Sequence, residues 1–143
     1  MKHVATLPIF DRLIDENVEQ SSEHNLKKYI SLDELKESIM RDLSLLMNTR
    51  VSSFWMGFPS ALPYSYGISI TAPNYAETVF EIQALENRAT KVITMFEPRL
   101  KNVKVHIINY GVDPGKAFMQ IDADVMLDEK RIPLSFPIVM ELK

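Results

Sequence analysis

The chain has 143 residues, 46% of them hydrophobic and 24% charged, a composition expected of one globular domain with enough apolar material for a real core. A formal net charge of −3 with no cysteine argues against nucleic acid as a partner, which selects a clustered basic face, and excludes disulfides, thiolate metal sites and cysteine nucleophiles. No apolar run approaches the roughly 18 residues a membrane-spanning helix needs, and Met1 to Phe10 lack the apolar stretch and small-residue cleavage site of a secretory signal, which makes the cytoplasm the simplest compartment.

Residues 1–30 hold no sustained periodicity. One short apolar cluster, Ile9-Phe10-Asp11-Arg12-Leu13-Ile14, lies between a polar start and the charged stretch from Asp15 to Lys28. The expected structure is an N-terminal arm in which Phe10 and Leu13 either anchor to a partner or pack back on the chain's own domain, residues 31–143.

Helix signals begin at Ser31. Ser31-Leu32-Asp33-Glu34 has the spacing of a capping box, in which each side chain satisfies a free backbone N–H at the helix start, and its acids suit the positive end of the helix dipole. Leu32, Leu35, Ile39, Leu43, Leu46 and Met47 then recur at three- and four-residue steps and draw one buried stripe. Lys36, Glu37, Arg41 and Asp42 fall mostly elsewhere and are expected in solvent. Asn48-Thr49-Arg50 ends the pattern.

Residues 51–73 mix aromatic residues with turn formers at no helical period. Phe54, Trp55, Phe58, Tyr64 and Tyr66 fit a packed loop over the core better than a free linker or an aromatic ligand groove. A second helix is expected from Asn74 or Tyr75, with Asn74 as cap. Its apolar stripe reads Val79, Ile82, Leu85, Ala89, Val92, Ile93 and Phe96, and its polar face Glu81, Glu86, Arg88 and Lys91. Pro98 stops it, since proline lacks an N–H and disfavours helix in the residue before it.

From Lys101 the period becomes two. Val103, Val105 and Ile107 alternate with Lys104 and His106; Ala117, Met119, Ile121, Ala123, Val125 and Leu127 alternate with Gln120, Asp122 and Asp124; Ile132, Leu134, Phe136, Ile138, Met140 and Leu142 share one face of a last strand. Turns fall at 111–115 and 128–130. Pro133 and Pro137 are four apart, so their missing N–H groups face one side, which places residues 131–142 on a sheet edge. The resulting class is α+β: two long helices packed on a three-stranded antiparallel sheet, with an N-terminal arm.

Catalytic patterns are weak. His3, His24 and His106 are scattered, none with a partner at metal-ligand spacing. The sequence has no phosphate loop and no G-x-S-x-G elbow, and Asp122 and Asp124 read as a solvated outer face rather than a cation site. No cofactor or metal is expected. Glycoside hydrolysis needs two carboxylates; Glu97 is the one in an unusual setting, and nothing places a second opposite it. Glu97 faces the negative end of a helix dipole, a cost of roughly 0.3–1 kcal/mol unless compensated. Pro98 stiffens the exit, and Arg99 offers a planar fork of donors. Two readings of Glu97-Pro98-Arg99 remain open: an internal lock of the helix–strand corner, or a rigid dipolar knob for a partner.

Phe96-Glu97-Pro98-Arg99-Leu100 resembles the Glu-Pro-Arg signature of the TssE family, the baseplate wedge component of bacterial type VI secretion systems. That family is similar to a wedge protein of contractile-tailed phages that has sometimes been called a phage lysozyme. Phe10-Asp11-Arg12-Leu13, Ser38-Ile39-Met40-Arg41-Asp42-Leu43, Leu46-Met47-Asn48-Thr49-Arg50 and Leu62-Pro63-Tyr64-Ser65-Tyr66-Gly67 resemble further elements of the family in the same order, over roughly residues 10–143. The resemblance implies a structural protein and not an enzyme. Glu97, Pro98 and Arg99, with Phe10 and Leu13, would meet wedge subunits, and the C-terminal sheet would nucleate the sheath by strand addition. It implies no nucleic acid and no membrane insertion. The alternatives it leaves are a peptidoglycan-cleaving tail lysozyme and a regulatory anti-adaptor on the same scaffold.

Overall fold

The computed structural model describes residues 5–6, 29–52, 65–69, 79–110, 115–127 and 129–142. In chain order these form β1 (Ala5–Thr6), β2 (Tyr29–Ile30), α1 (Leu32–Asn48), α2 (Val79–Phe96), β3 (Leu100–Tyr110), β4 (Lys116–Leu127) and β5 (Lys130–Glu141). The class is α+β: among the described residues, two helices accompany an antiparallel sheet of order β3-β4-β5. A separate two-residue pairing joins β1 to β2 antiparallel, Ala5 opposite Ile30 and Thr6 opposite Tyr29. The arm's Phe10 and Leu13, and the aromatic residues Phe54, Trp55, Phe58 and Tyr64, lie outside the described residues.

Helix α1 begins as its first four residues dictate. Ser31 is the N-cap; Glu34 N–H donates to Ser31 Oγ at 3.3 Å and Ser31 N–H donates back to Glu34 Oε2 at 2.8 Å. Two of the free N–H groups of the first turn are thereby satisfied. The apolar stripe then buries Leu35, Ile39, Leu43, Leu46 and Met47.

In α2 the buried residues are Leu85, Ala89, Val92 and Ile93. The expected stripe began too early: Val79 is 79% exposed. Two three-residue steps from Val79 to Leu85 each fall short of a full turn, so Val79 sits roughly 120° around the helix from Leu85. Four-residue steps carry the true stripe, and those begin only at Leu85.

Each sheet strand alternates as its sequence does. Ala117, Met119, Ile121, Ala123 and Val125 of β4 and Phe136, Ile138 and Met140 of β5 point into one core with both helices. α2 packs against β3 and α1 against β5. Two irregularities mark β3. Its register with β4 shifts between Lys101 and Lys104 and again between Ile107 and Asn109, and Asn102 takes a left-handed φ of 53° within the first bulge, a conformation asparagine tolerates better than most residues.

The short stretch 65–69 is tied to the end of α1. Ile68 N–H donates to Thr49 O at 2.9 Å and Val51 N–H to Ile68 O at 3.3 Å. Gly67 is required there: its φ is +125°, and a Cβ would meet the Thr49 carbonyl oxygen at 2.4 Å, so any side chain is strained and blocked at once.

Candidate functional site

The corner between α2 and β3 is built by Glu97, Pro98 and Arg99. Glu97 N–H still closes the last turn of α2 on Ile93 O at 2.8 Å, and Leu100 N–H returns to Glu97 O at 3.2 Å, so Pro98 and Arg99 form a tight turn into β3. Pro98 is exposed. The Glu97 side chain is only 6% exposed and the Arg99 side chain 23%.

Arg99 grips Glu97 with both arms of its fork: Nε donates to Oε1 and Nη2 to Oε2, each at 2.6 Å, and the Arg99 backbone N–H adds a bond to Oε1 at 3.2 Å. This is the bidentate geometry that makes arginine–carboxylate pairs strong. The guanidinium then reaches across to α1, where Nη2 meets Asp42 Oδ2 at 2.5 Å and Nη1 meets Ser38 Oγ at 3.2 Å. Ser38 and Asp42 are four residues apart and share a helix face. Burial works against the charge on Arg99, but the hydrogen bonds and charges of Glu97 and then Asp42 outweigh it and raise its pKa above the ordinary arginine value.

Tyr66 packs beside this corner, its ring edge-on to Phe96 at 5.3 Å between centroids. Burial, helped by the negative charges of Asp42 and Glu97, pushes the Tyr66 phenol up. Tyr66 itself is thus packed against the core.

The internal lock is therefore a physical fact of the corner, and Glu97 is not an exposed half of a dipolar knob. Asp42, expected in solvent, is drawn to Arg99. The sequence clue to Asp42 was its four-residue spacing from Ser38; only the fold brings that face to Arg99, 57 residues away.

The two edges of the sheet form a second candidate surface. On β5, Asn48 at the end of α1 donates from Nδ2 to Val139 O at 3.1 Å and accepts at Oδ1 from Glu141 N–H at 2.8 Å. The amide thus imitates one rung of a strand ladder. These bonds show that the backbone of Val139 and Glu141 faces away from β4, and alternation along the strand turns the same edge of Pro133 and Pro137 outward. The expected edge position of this strand holds, since β5 pairs only with β4 among the described strands.

On β3 the Ile107 N–H points away from β4 and donates to Glu86 Oε1 of α2 at 2.8 Å. Alternation turns the Val105 backbone the same way. Glu86 and Arg88 were both expected on a solvated face, yet both serve the backbone: Arg88 Nη1 donates to Ser69 O at 2.8 Å. Long polar side chains at the flanks of a helix stripe reach neighbouring elements when a bare backbone group lies within their span.

On the solvent face of the sheet, Asp122 accepts from Gln120 at 3.0 Å and Ser135 at 2.7 Å, and Asp124 accepts from Asn102 at 2.8 Å. Those two donors to Asp122 hold its carboxyl below the usual aspartate value. Among the described residues no group of histidines and carboxylates converges as a metal site, and no helix is long and apolar enough to cross a membrane.

Among solved structures, the fold is similar to that of a Geobacter sulfurreducens protein provisionally named a tail lysozyme: identity is 17%, TM-score 0.51, with 78% of this chain and 96% of that one covered. At that identity the likeness concerns the fold alone. No curated protein matches the chain. The family profile of the baseplate wedge protein gp25 matches residues 33–130, which takes in α1 from its second residue, the Glu97–Arg99 corner and the sheet as far as the first residue of β5. The chain belongs to the baseplate wedge protein gp25 family.

Proposed function

We propose that the chain is a non-enzymatic baseplate component of a contractile injection machine, of the type VI secretion or phage-tail kind, working in the cytoplasm. Its α1–α2–sheet domain, residues 31–143, docks wedge subunits at the Glu97–Pro98–Arg99 corner, while the arm of residues 1–30 adds Phe10 and Leu13 as apolar anchors. The C-terminal sheet then accepts a strand from the sheath and nucleates its assembly.

Family membership supports the baseplate role, and the bidentate Glu97–Arg99 pair is the observation that carries the docking site. A corner held by five hydrogen bonds from Arg99 offers Pro98 on a stiff mount, which lowers the ordering cost of binding. In this role Glu97 and Arg99 shape the surface from beneath, and Pro98 makes contact.

The same geometry argues against Glu97 as the acid of a lysozyme. Both its oxygens are engaged by Arg99, and a glycosidase acid must present a free protonated oxygen to the leaving group. Purified protein is expected to leave a peptidoglycan suspension turbid; clearing that Glu97→Gln abolishes would replace this reading with the enzymatic one. Co-expression with wedge and sheath subunits tests assembly directly, with recovery of both expected for the wild type and recovery of neither fatal to the proposal.

A further inference from the structure

Both edges of the sheet carry covered backbone positions among the described residues, but by different means. On β5 two of the closures are covalent: Pro133 and Pro137 have no N–H to offer, and Asn48 fills a further rung. An added strand would lose a donor at every second outward position, so this edge is closed for good. On β3 the backbone donors are intact. Among the described residues no strand lies beyond it, and the group that covers Ile107 N–H is the side chain of Glu86, at 2.8 Å. A side chain can swing away; a proline ring cannot.

We propose that Glu86 is a latch on the β3 edge, released when an extended segment of another chain, alternating acidic and apolar residues, adds beside Val105 and Ile107. This rests on the strand-addition reading above and supplies what that reading lacks: which edge is used, what guards it, and what chemistry enters. The solvent face of β3 shows Lys101, Lys104 and His106, all exposed, while its other face turns Val103, Val105 and Ile107 toward the core. A neighbouring strand sets its side chains opposite these, so acidic residues would meet the basic row and apolar residues would extend the core. A second copy of this chain fits poorly, because β3 against β3 would oppose lysines and histidine with their own kind. The latch has a physical purpose. An open edge invites indiscriminate pairing, and a carboxylate that satisfies the bare N–H holds the edge shut until a better ladder replaces it.

Amide hydrogen exchange on the full chain tests the latch without any partner. Glu86→Ala is expected to speed exchange at Ile107 at least about tenfold, the loss matching a hydrogen bond to a charged group, with Met119 and Ile121 unchanged. Glu86→Gln, which keeps a neutral oxygen, should fall between, and it carries the test if the alanine variant does not fold. Equal exchange at Ile107 in all three chains would overturn the latch even if the assembly reading stands. Titration with a synthetic peptide alternating valine and glutamate then tests the occupant. Protection should grow at Val105 and Ile107, with binding at least about tenfold tighter to Glu86→Ala than to wild type, and weaker for a valine–lysine peptide. Protection at Ser135 and Val139 instead, equal binding of both peptides, or a doubled mass by light scattering would overturn the edge, the chemistry or the heterologous partner in turn. If the latch opens and the peptide binds, yet co-expression yields no wedge or sheath complex, the fault lies with the assembly role and not with Glu86.

Discussion

Arg99 bonds to Glu97, Ser38 and Asp42 at once, and the unequal exposure of its partners decides what each bond is worth. Glu97 is nearly sealed, so Arg99→Ala would strand a charge without its partner and is expected to cost about 3 kcal/mol or more of stability. The Asp42 side chain is 39% exposed; Asp42→Asn should cost no more than about 1 kcal/mol. Urea unfolding of the two variants distinguishes these, and equal losses would mean that Glu97 is not the partner that matters. Tyr66 makes a pH prediction. Its folded-state pKa is raised, so its contribution is intact below the unfolded value of about 10 and is lost as pH climbs through the higher folded value. Tyr66→Phe should therefore unfold less readily than wild type above about pH 10 and show no such advantage at pH 7. At this scale the sequence made Glu97-Pro98-Arg99 conspicuous but left its two roles open, because Ser38 and Asp42 are identified as partners only once the corner folds back against α1.

Among elements, those with internal rules were the most readable. The capping box of α1 is local, and so Ser31 and Glu34 announced the helix start; Ser31→Ala should cost about 1 kcal/mol by chemical denaturation. The alternation in β3, β4 and β5 was equally plain, because a half-buried strand writes burial into every second residue. The expected start of α2 at Asn74 or Tyr75 lies outside the described residues, but its buried stripe begins later than the apolar residues suggest for a physical reason. Val79 is apolar but out of phase, and nothing local distinguishes an apolar residue on the stripe from one beside it. In the sequence Asn48 reads as a simple helix stop. Its bonds to Val139 and Glu141 span 91 and 93 residues, and no local pattern encodes a contact of that range. Asn48→Ala is expected to speed amide exchange at Glu141 while leaving Met140, which faces β4, unchanged.

For the whole molecule, one arrangement links the corner to the sheet. α2 delivers Glu97 to the corner at its end and Glu86 to the β3 edge midway, so a single helix supports both surfaces assigned to assembly. The prolines of β5 were legible as edge markers, and the resemblance around Glu-Pro-Arg points to baseplate wedge proteins, in agreement with the family whose profile matches. The side-chain closures of the edges were not legible, since Glu86 and Asn48 look like ordinary surface residues until the backbone groups they meet are placed. The role proposed rests on contact and not on chemistry, and calorimetric titration of the purified chain into reconstituted wedge subunits measures that contact. Wild-type binding should weaken at least about tenfold, or about 1.4 kcal/mol, in Pro98→Lys, with the circular dichroism of the free variant unchanged. Equal affinity in the two chains, or no binding by the wild type, would contradict the assignment of the corner as the docking site.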